Sequence, residues 1–236
     1  MLYYGFDLTY LIMVMPFVIL SIWASTNVNS TFKRYSKVFS RRGLTGAQAA
    51  EQVLRNNGVY NVRIERVSGN LTDHYDPKSN VIRLSDNVYA NTSAAAIGVA
   101  CHEAGHAVQY AQNYAPIKLR AAIVPITNIG SMLAMPLILL GLVLNVMTEF
   151  SYTFVYIGIA CFGLSLLFQL ITLPVEFNAS RRAVSAISGA GLLDGQELEG
   201  AKKTLRAAAL TYVAAAAVSL MQLLRLILIF GGRRDD

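Results

Sequence analysis

Three observations predict a mainly α membrane protein with a small α+β part. Hydrophobic residues make up 54% of the chain and charged ones only 14%, a balance that points away from an ordinary soluble domain. Four stretches, 8–24, 121–146, 152–173 and 207–230, are apolar over about the 20 residues that a helix needs to cross a hydrocarbon core. Between the first two, residues 25–120 carry alternating and helical periodicities that fit a short sheet followed by a long helix.

The first apolar stretch has Asp7 and no Lys or Arg on its N-terminal flank, so it is expected to stay as an anchor and not to be cleaved as a signal peptide. Lys33, Arg34, Lys37, Arg41 and Arg42 come next, and the positive-inside rule holds the segment after this first span in the cytoplasm. Thr45 and Gln48 have the spacing of a capping box, Ala49, Ala50, Val53 and Leu54 share one face, and Asn56-Asn57-Gly58 is a stop signal. A short amphipathic helix lies between them. Residues 59–67 are β-prone, Ser68-Gly69-Asn70 is a turn, and 71–75 with 81–84 flank the turn residues Asp76 to Asn80 as a hairpin. Thr92 to Gln112 then reads as a helix, with Asn91, Thr92 or Ser93 as its N-cap.

The second and third spans, joined by a short loop over 145–151, bring the chain back to the side of the first basic segment. There Arg181, Arg182, Lys202, Lys203 and Arg206 form a second basic flank within 174–206. Asp194 with Glu197 is a capping start for a long last helix, and the alanine-rich run 207–217 suits close helix approach. Arg233 and Arg234 would face outward, offset by Asp235 and Asp236. The whole chain, 1–236, reads as one integral-membrane domain with four spans and two cytoplasmic segments, 25–120 and 174–206. The net charge of +6 fits this inside bias and attraction to anionic lipid; no nucleic-acid motif accompanies it. Cys101 and Cys161 offer no disulfide framework and are expected to be small buried hydrophobes.

Chemistry concentrates in His102-Glu103-Ala104-Gly105-His106, which holds two of the three histidines of the chain. Residues four apart on a helix stand one above the other, so His102 and His106 can offer two imidazole nitrogens to one metal ion, with Glu103 beside them. Neutral nitrogen ligands, an open position for water and a neighbouring carboxylate are the layout of a zinc hydrolase. The plain alternative is two surface histidines on an ordinary helix. Catalytic zinc sites usually have three protein ligands. Candidates for the third lie in Pro174-Val175-Glu176-Phe177-Asn178-Ala179-Ser180, where Pro174 suits the first turn of a helix and Glu176 and Ser180 share a face.

His-Glu-x-x-His, a hydrophobic hairpin and then Glu-Phe-x-Ala resemble the HtpX-like membrane metallopeptidases, and nearly the whole chain resembles the related YugP-type integral-membrane zinc metallopeptidases. The resemblance implies a zincin-like catalytic part that binds Zn2+ through His102, His106 and Glu176, with Glu103 as general base. It implies a multi-pass protein of the bacterial cell (inner) membrane with its active site facing the cytoplasm, hydrolysing peptide bonds in membrane protein quality control or processing. Unfolded or membrane polypeptides are the expected substrates. Where the HtpX-like pattern has an Asp four residues after the ligand Glu, this chain has Ser180, whose hydroxyl can accept an imidazole N–H without adding negative charge. His74, Tyr75, Arg181, Arg182 and Tyr212 are candidate donors to a developing oxyanion. The strand Val81-Ile82-Arg83-Leu84 is the candidate for pairing with an extended substrate.

Two other readings compete. Leu193-Asp194-Gly195 spells the triplet of the site-2-type intramembrane zinc proteases, with Asp194 as third ligand, although Asp194 follows a Gly-rich, non-apolar loop and the upstream Asn and Pro pattern is missing. A non-catalytic membrane scaffold is the other, against which an intact Glu103 argues.

Overall fold

The computed structural model describes residues 8–144 and 151–231, so most of the expected 145–151 loop and the charges at 233–236 lie outside the described residues. The chain divides into two compact units, one of residues 24–118 and 173–211, the other of 1–23, 119–172 and 212–236. Among the described residues, three helices are long and apolar enough to cross a membrane: Ala115–Leu144, Tyr152–Gly189 and Gly195–Gly231. The expected span over 8–24 is not among them. It falls into α1 (Leu8–Met13) and α2 (Met15–Tyr35), separated at Val14, just before Pro16, which has no N–H to give to a helical ladder. The second half of α2 turns polar, with Ser25, Thr26, Asn27, Asn29 and Ser30.

In the first unit, α3 (Gly46–Asn56) is built as its sequence signals dictate. Thr45 Oγ1 accepts the Gln48 N–H, and the Gln48 side chain accepts the Thr45 N–H in return. The chain leaves the helix through Gly58 at φ +71°, a left-handed turn that costs glycine nothing. Ala49, Ala50, Val53 and Leu54 are buried and share one core with Ile82, Leu84, Ile97, Ile187 and Leu193.

The sheet has three strands, β1 (Arg63–Val67), β2 (His74–Asp76) and β3 (Val81–Ser85), in the order β1-β3-β2. The hairpin turn holds through Asp76, which accepts the Ser79 hydroxyl at 2.6 Å and the Lys78 N–H at 2.9 Å. These donors keep its carboxyl well below the usual carboxylate range. β1 pairs parallel with β3 and β2 pairs antiparallel with it. Val81, Ile82, Arg83 and Leu84 therefore form the central strand, contrary to the reading that they receive a substrate. Val81, Ile82 and Arg83 are paired on both sides, and the Ser85 N–H is taken by Asp73 Oδ1 at 2.7 Å. An extended peptide finds no free backbone there.

The motif helix is α4 (Ala94–Ala111), capped by Ser93, whose hydroxyl accepts the Ala96 N–H. It is buried along most of its length, with β2, β3 and α3 packed on it. That environment explains its small residues. A Cβ added at Gly98 would lie 3.2 Å from Ala201 Cβ, and one at Gly105 would lie 2.8 Å from the Ala179 carbonyl oxygen.

α5 (Ala115–Leu144) contains Pro125 and Pro136, and α6 (Ser151–Gly189) contains Pro174. Pro174 thus sits inside a 39-residue helix and does not begin a new one: only its own N–H is missing from the ladder, and the flanking turns continue through it. The last helix is α7 (Gly195–Gly231). Its Glu197 does not close a capping box; the buried carboxylate accepts the Arg41 N–H at 3.1 Å and so ties down the segment after α2.

In the second unit, Ile138, Val155, Leu226 and Phe230 form a small apolar cluster, and Gly158 lets helices approach where an added Cβ would meet the Ala134 carbonyl oxygen at 2.8 Å. Ser131 and Ser165 join hydroxyls at 2.6 Å, and Gln169 donates to Ser219 at 2.7 Å, polar links of the kind that hold helices together in lipid. Arg225 lies 5.4 Å from the Tyr10 ring centroid.

Candidate metal centre

One helical turn of α4 places His102 Nε2 and His106 Nε2 3.1 Å apart. From α6, Glu176 brings one carboxylate oxygen to 3.3 Å from the first and 3.5 Å from the second. All three residues lie in the same compact unit and are buried or nearly so, with side-chain exposures of 14%, 11% and 4%. Among the described residues they are the one group of three or more His, Cys, Asp or Glu placed to share a metal ion. Asp194 is exposed and is not part of it.

The protonation pattern is set by the hydrogen bonds around the group. Gln109, fully buried, directs its amide N–H groups at the Val175 carbonyl and at Asn178 Oδ1, each at 2.9 Å. A main-chain carbonyl only accepts, so the amide orientation is settled and Gln109 Oε1 is the atom 3.0 Å from His106 Nδ1. His106 Nδ1 must carry the hydrogen, which leaves the Nε2 lone pair facing Glu176 and His102. His102 Nδ1 is 3.1 Å from Ser180 Oγ, so each imidazole has a partner on the nitrogen that points away from the cluster. The His106 Nε2 lone pair, His102 Nε2 and the Glu176 carboxylate oxygen then converge on one point, an arrangement that suits a cation.

The spacing is compatible with a tetrahedral zinc ion. A tetrahedral zinc with bonds of about 2.0–2.1 Å requires ligand atoms ~3.3 Å apart, and the three edges here are 3.1, 3.3 and 3.5 Å. Burial disfavours the charged form of His106, but Glu176 and Glu103 outweigh it and raise its affinity for a proton; the same negative charges attract a metal. Glu103 is buried on α4. Its charge also reaches Asp73, whose carboxyl is raised above the usual range by burial against the lowering of two Ser85 hydrogen bonds.

Other residues singled out from the sequence are placed differently. Arg182 is committed to structure: its guanidinium donates to Asn178 at 2.7 Å and to Gln112 at 2.6 Å and lies 5.9 Å from the Tyr114 ring centroid. Arg181 is exposed. His74 on β2 is exposed and shares its ring nitrogens with the Thr72 carbonyl and Arg83. Tyr212 belongs to the other compact unit. The residue missed was Gln109, although its position three after His106 on the same helix face was a usable signal.

Two expected outcomes arise from this geometry. Gln109→Leu removes the acceptor that orients His106, and outer-shell partners of this kind are worth about 10–100-fold in metal affinity; competition with a fluorescent chelator measures the loss. Gly105→Ala pushes a methyl into the Ala179 carbonyl at the crossing of α4 and α6. The resulting strain of about 1–3 kcal/mol exceeds the roughly 1 kcal/mol that alanine gains over glycine in a helix, so melting in detergent falls. Gly163→Ala, with nothing within 4 Å, leaves it unchanged or higher.

Comparison with known proteins agrees with this chemistry. The model of a family described as "Putative neutral zinc metallopeptidase" matches residues 10–231. The "Putative membrane protease YugP" of Bacillus subtilis (strain 168) is 48% identical over 217 residues, 92% of this chain and 94% of that protein. No solved structure matches.

Proposed function

Because the chain belongs to the neutral zinc metallopeptidase family, we propose that it is a zinc-dependent endopeptidase of the membrane that cleaves unfolded or membrane-tethered polypeptides in quality control or processing. The observation that carries this reading is the triangle of His102 Nε2, His106 Nε2 and the Glu176 carboxylate oxygen, with edges of 3.1–3.5 Å.

His102, His106 and Glu176 would hold the ion, and Gln109 and Ser180 would orient the two imidazoles. Bound there, zinc supplies Lewis acidity that polarises a peptide carbonyl and makes a water more acidic. Glu103, one residue from His102, takes the proton of the attacking water on its carboxylate and returns it to the leaving amine nitrogen as the C–N bond breaks. With β3 paired on both sides, the outer edges of the sheet are β1 and β2, and β2, which packs on α4, would be the one to receive an extended substrate. Backbone pairing along that edge selects extended chain over sequence, which suits unfolded polypeptides.

The basic residues Lys33, Arg34, Lys37, Arg181, Arg182, Lys202 and Lys203 support a site on the cytoplasmic side of the bacterial inner membrane, with 8–24 as a fourth span. Metal removal tests the enzymatic reading. The full-length protein in detergent is expected to contain one zinc per chain and to cleave unfolded casein; dialysis against a strong chelator abolishes cleavage, and one equivalent of zinc restores it. Undiminished cleavage by metal-free protein would refute the proposal.

A further inference from the structure

Away from the metal centre, α2 and α7 turn matching faces to a groove of about 330 Å3. Thr31 and Arg34 enter it from one helix at i, i+3, and Lys203, Arg206, Ala207 and Leu210 enter it from the other at i, i+3, i+4 and i+7. The three cations are exposed, and among the described residues no carboxylate pairs with any of them within 4.0 Å. Glu199 feels the charge of both Lys203 and Arg206, but its oxygen is held by Lys202 at 2.8 Å. Like charges three residues apart on a helix repel, and Arg34 from the facing helix adds a third. The groove thus gathers positive charge without a counter-ion of its own.

Its chemistry is also two-sided. Part of its lining is a guanidinium pair, an ammonium and the Thr31 hydroxyl, donors that match phosphate oxygens. The rest of its lining includes Ala207 and Leu210, where the apolar run of α7 begins, together with Asn27 and Tyr35. A free phosphate would use only the first. We infer that this groove between α2 and α7 is a binding site for an anionic phospholipid, with the headgroup phosphate among Arg34, Lys203 and Arg206 and the start of an acyl chain along Ala207 and Leu210. Basic pockets beside membrane spans recognise anionic headgroups in this way.

The test uses the full-length, zinc-loaded protein released from phosphatidylcholine nanodiscs containing phosphatidylglycerol, with retained lipids counted by native mass spectrometry. One phosphatidylglycerol per chain is expected to be retained in preference to phosphatidylcholine. Its retention falls about fivefold for each of Arg34→Gln, Lys203→Gln and Arg206→Gln, while Lys33→Gln, the same charge change beside the groove, leaves it intact. Arg34→Lys and Arg206→Lys keep most of it, which separates loss of charge from loss of fold, and zinc content reports folding of every variant. Equal loss in Lys33→Gln, or undiminished retention in the triple glutamine variant, overturns the assignment. So does displacement of the lipid by millimolar inorganic phosphate, which would mark a site for free anions.

Discussion

Glu176→Ala is expected to yield protein without bound zinc, whereas Asp194→Ala retains one zinc per chain. Among the described residues, the Glu176 carboxylate is the group that brings negative charge into contact with both His102 and His106. Its removal leaves two neutral nitrogens, too few for a catalytic zinc site. The loss in affinity should exceed the roughly 10–100-fold typical of an outer-shell partner, and proteolysis disappears with the metal. Asp194 is exposed, at the entry to α7, and its substitution touches only that helix start. Elemental analysis of the two variants decides between them; retention of zinc by Glu176→Ala together with its loss from Asp194→Ala would reverse the assignment and restore the site-2-type reading.

Glu103→Gln separates binding from chemistry. The amide has the shape of the carboxylate, so the packing of α4 and the positions of His102 and His106 are preserved and zinc content stays at one per chain. An amide cannot take a proton from water, and the rate of casein cleavage should fall by about 10²–10⁴-fold, the usual contribution of a positioned general base. A variant that binds zinc and cleaves as fast as the wild type would remove Glu103 from the mechanism. Equal inactivity of both proteins would favour a structural metal and the scaffold reading.

What could be read from the sequence was what neighbouring residues control. The capping box of Thr45 and Gln48 closes a single turn, Gly58 supplies the left-handed exit at the other end of that helix, and Ser93 caps the helix it precedes. His102, Glu103 and His106 lie within one turn and a half, so helical geometry alone brings the two imidazoles together. Pro174 shows the limit of such local signals. Proline suits a first turn, but it is also tolerated inside a helix whose neighbouring turns continue through it.

Other features depended on partners far away in the chain. β3 resembles an edge strand in isolation, and only the parallel return of β1 makes it central. Arg182 has the charge of an oxyanion donor, but Asn178, Gln112 and the Tyr114 ring occupy it. Glu176 could be assigned only through the family resemblance, because 70 residues separate it from His106 and no local rule closes that distance.

The sequence by itself therefore determined α3 and α4 with their caps, three of the four expected apolar spans and the paired imidazoles, all of which arise from interactions within a few residues. Tertiary structure alone decided that α6 crosses α4 where Gly105 admits the Ala179 carbonyl, that Gln109 fixes the His106 tautomer through Val175, and that a buried carboxylate completes the metal triangle. The reason is physical: close packing and the pairing of buried polar groups select one long-range arrangement among many that the same local preferences allow.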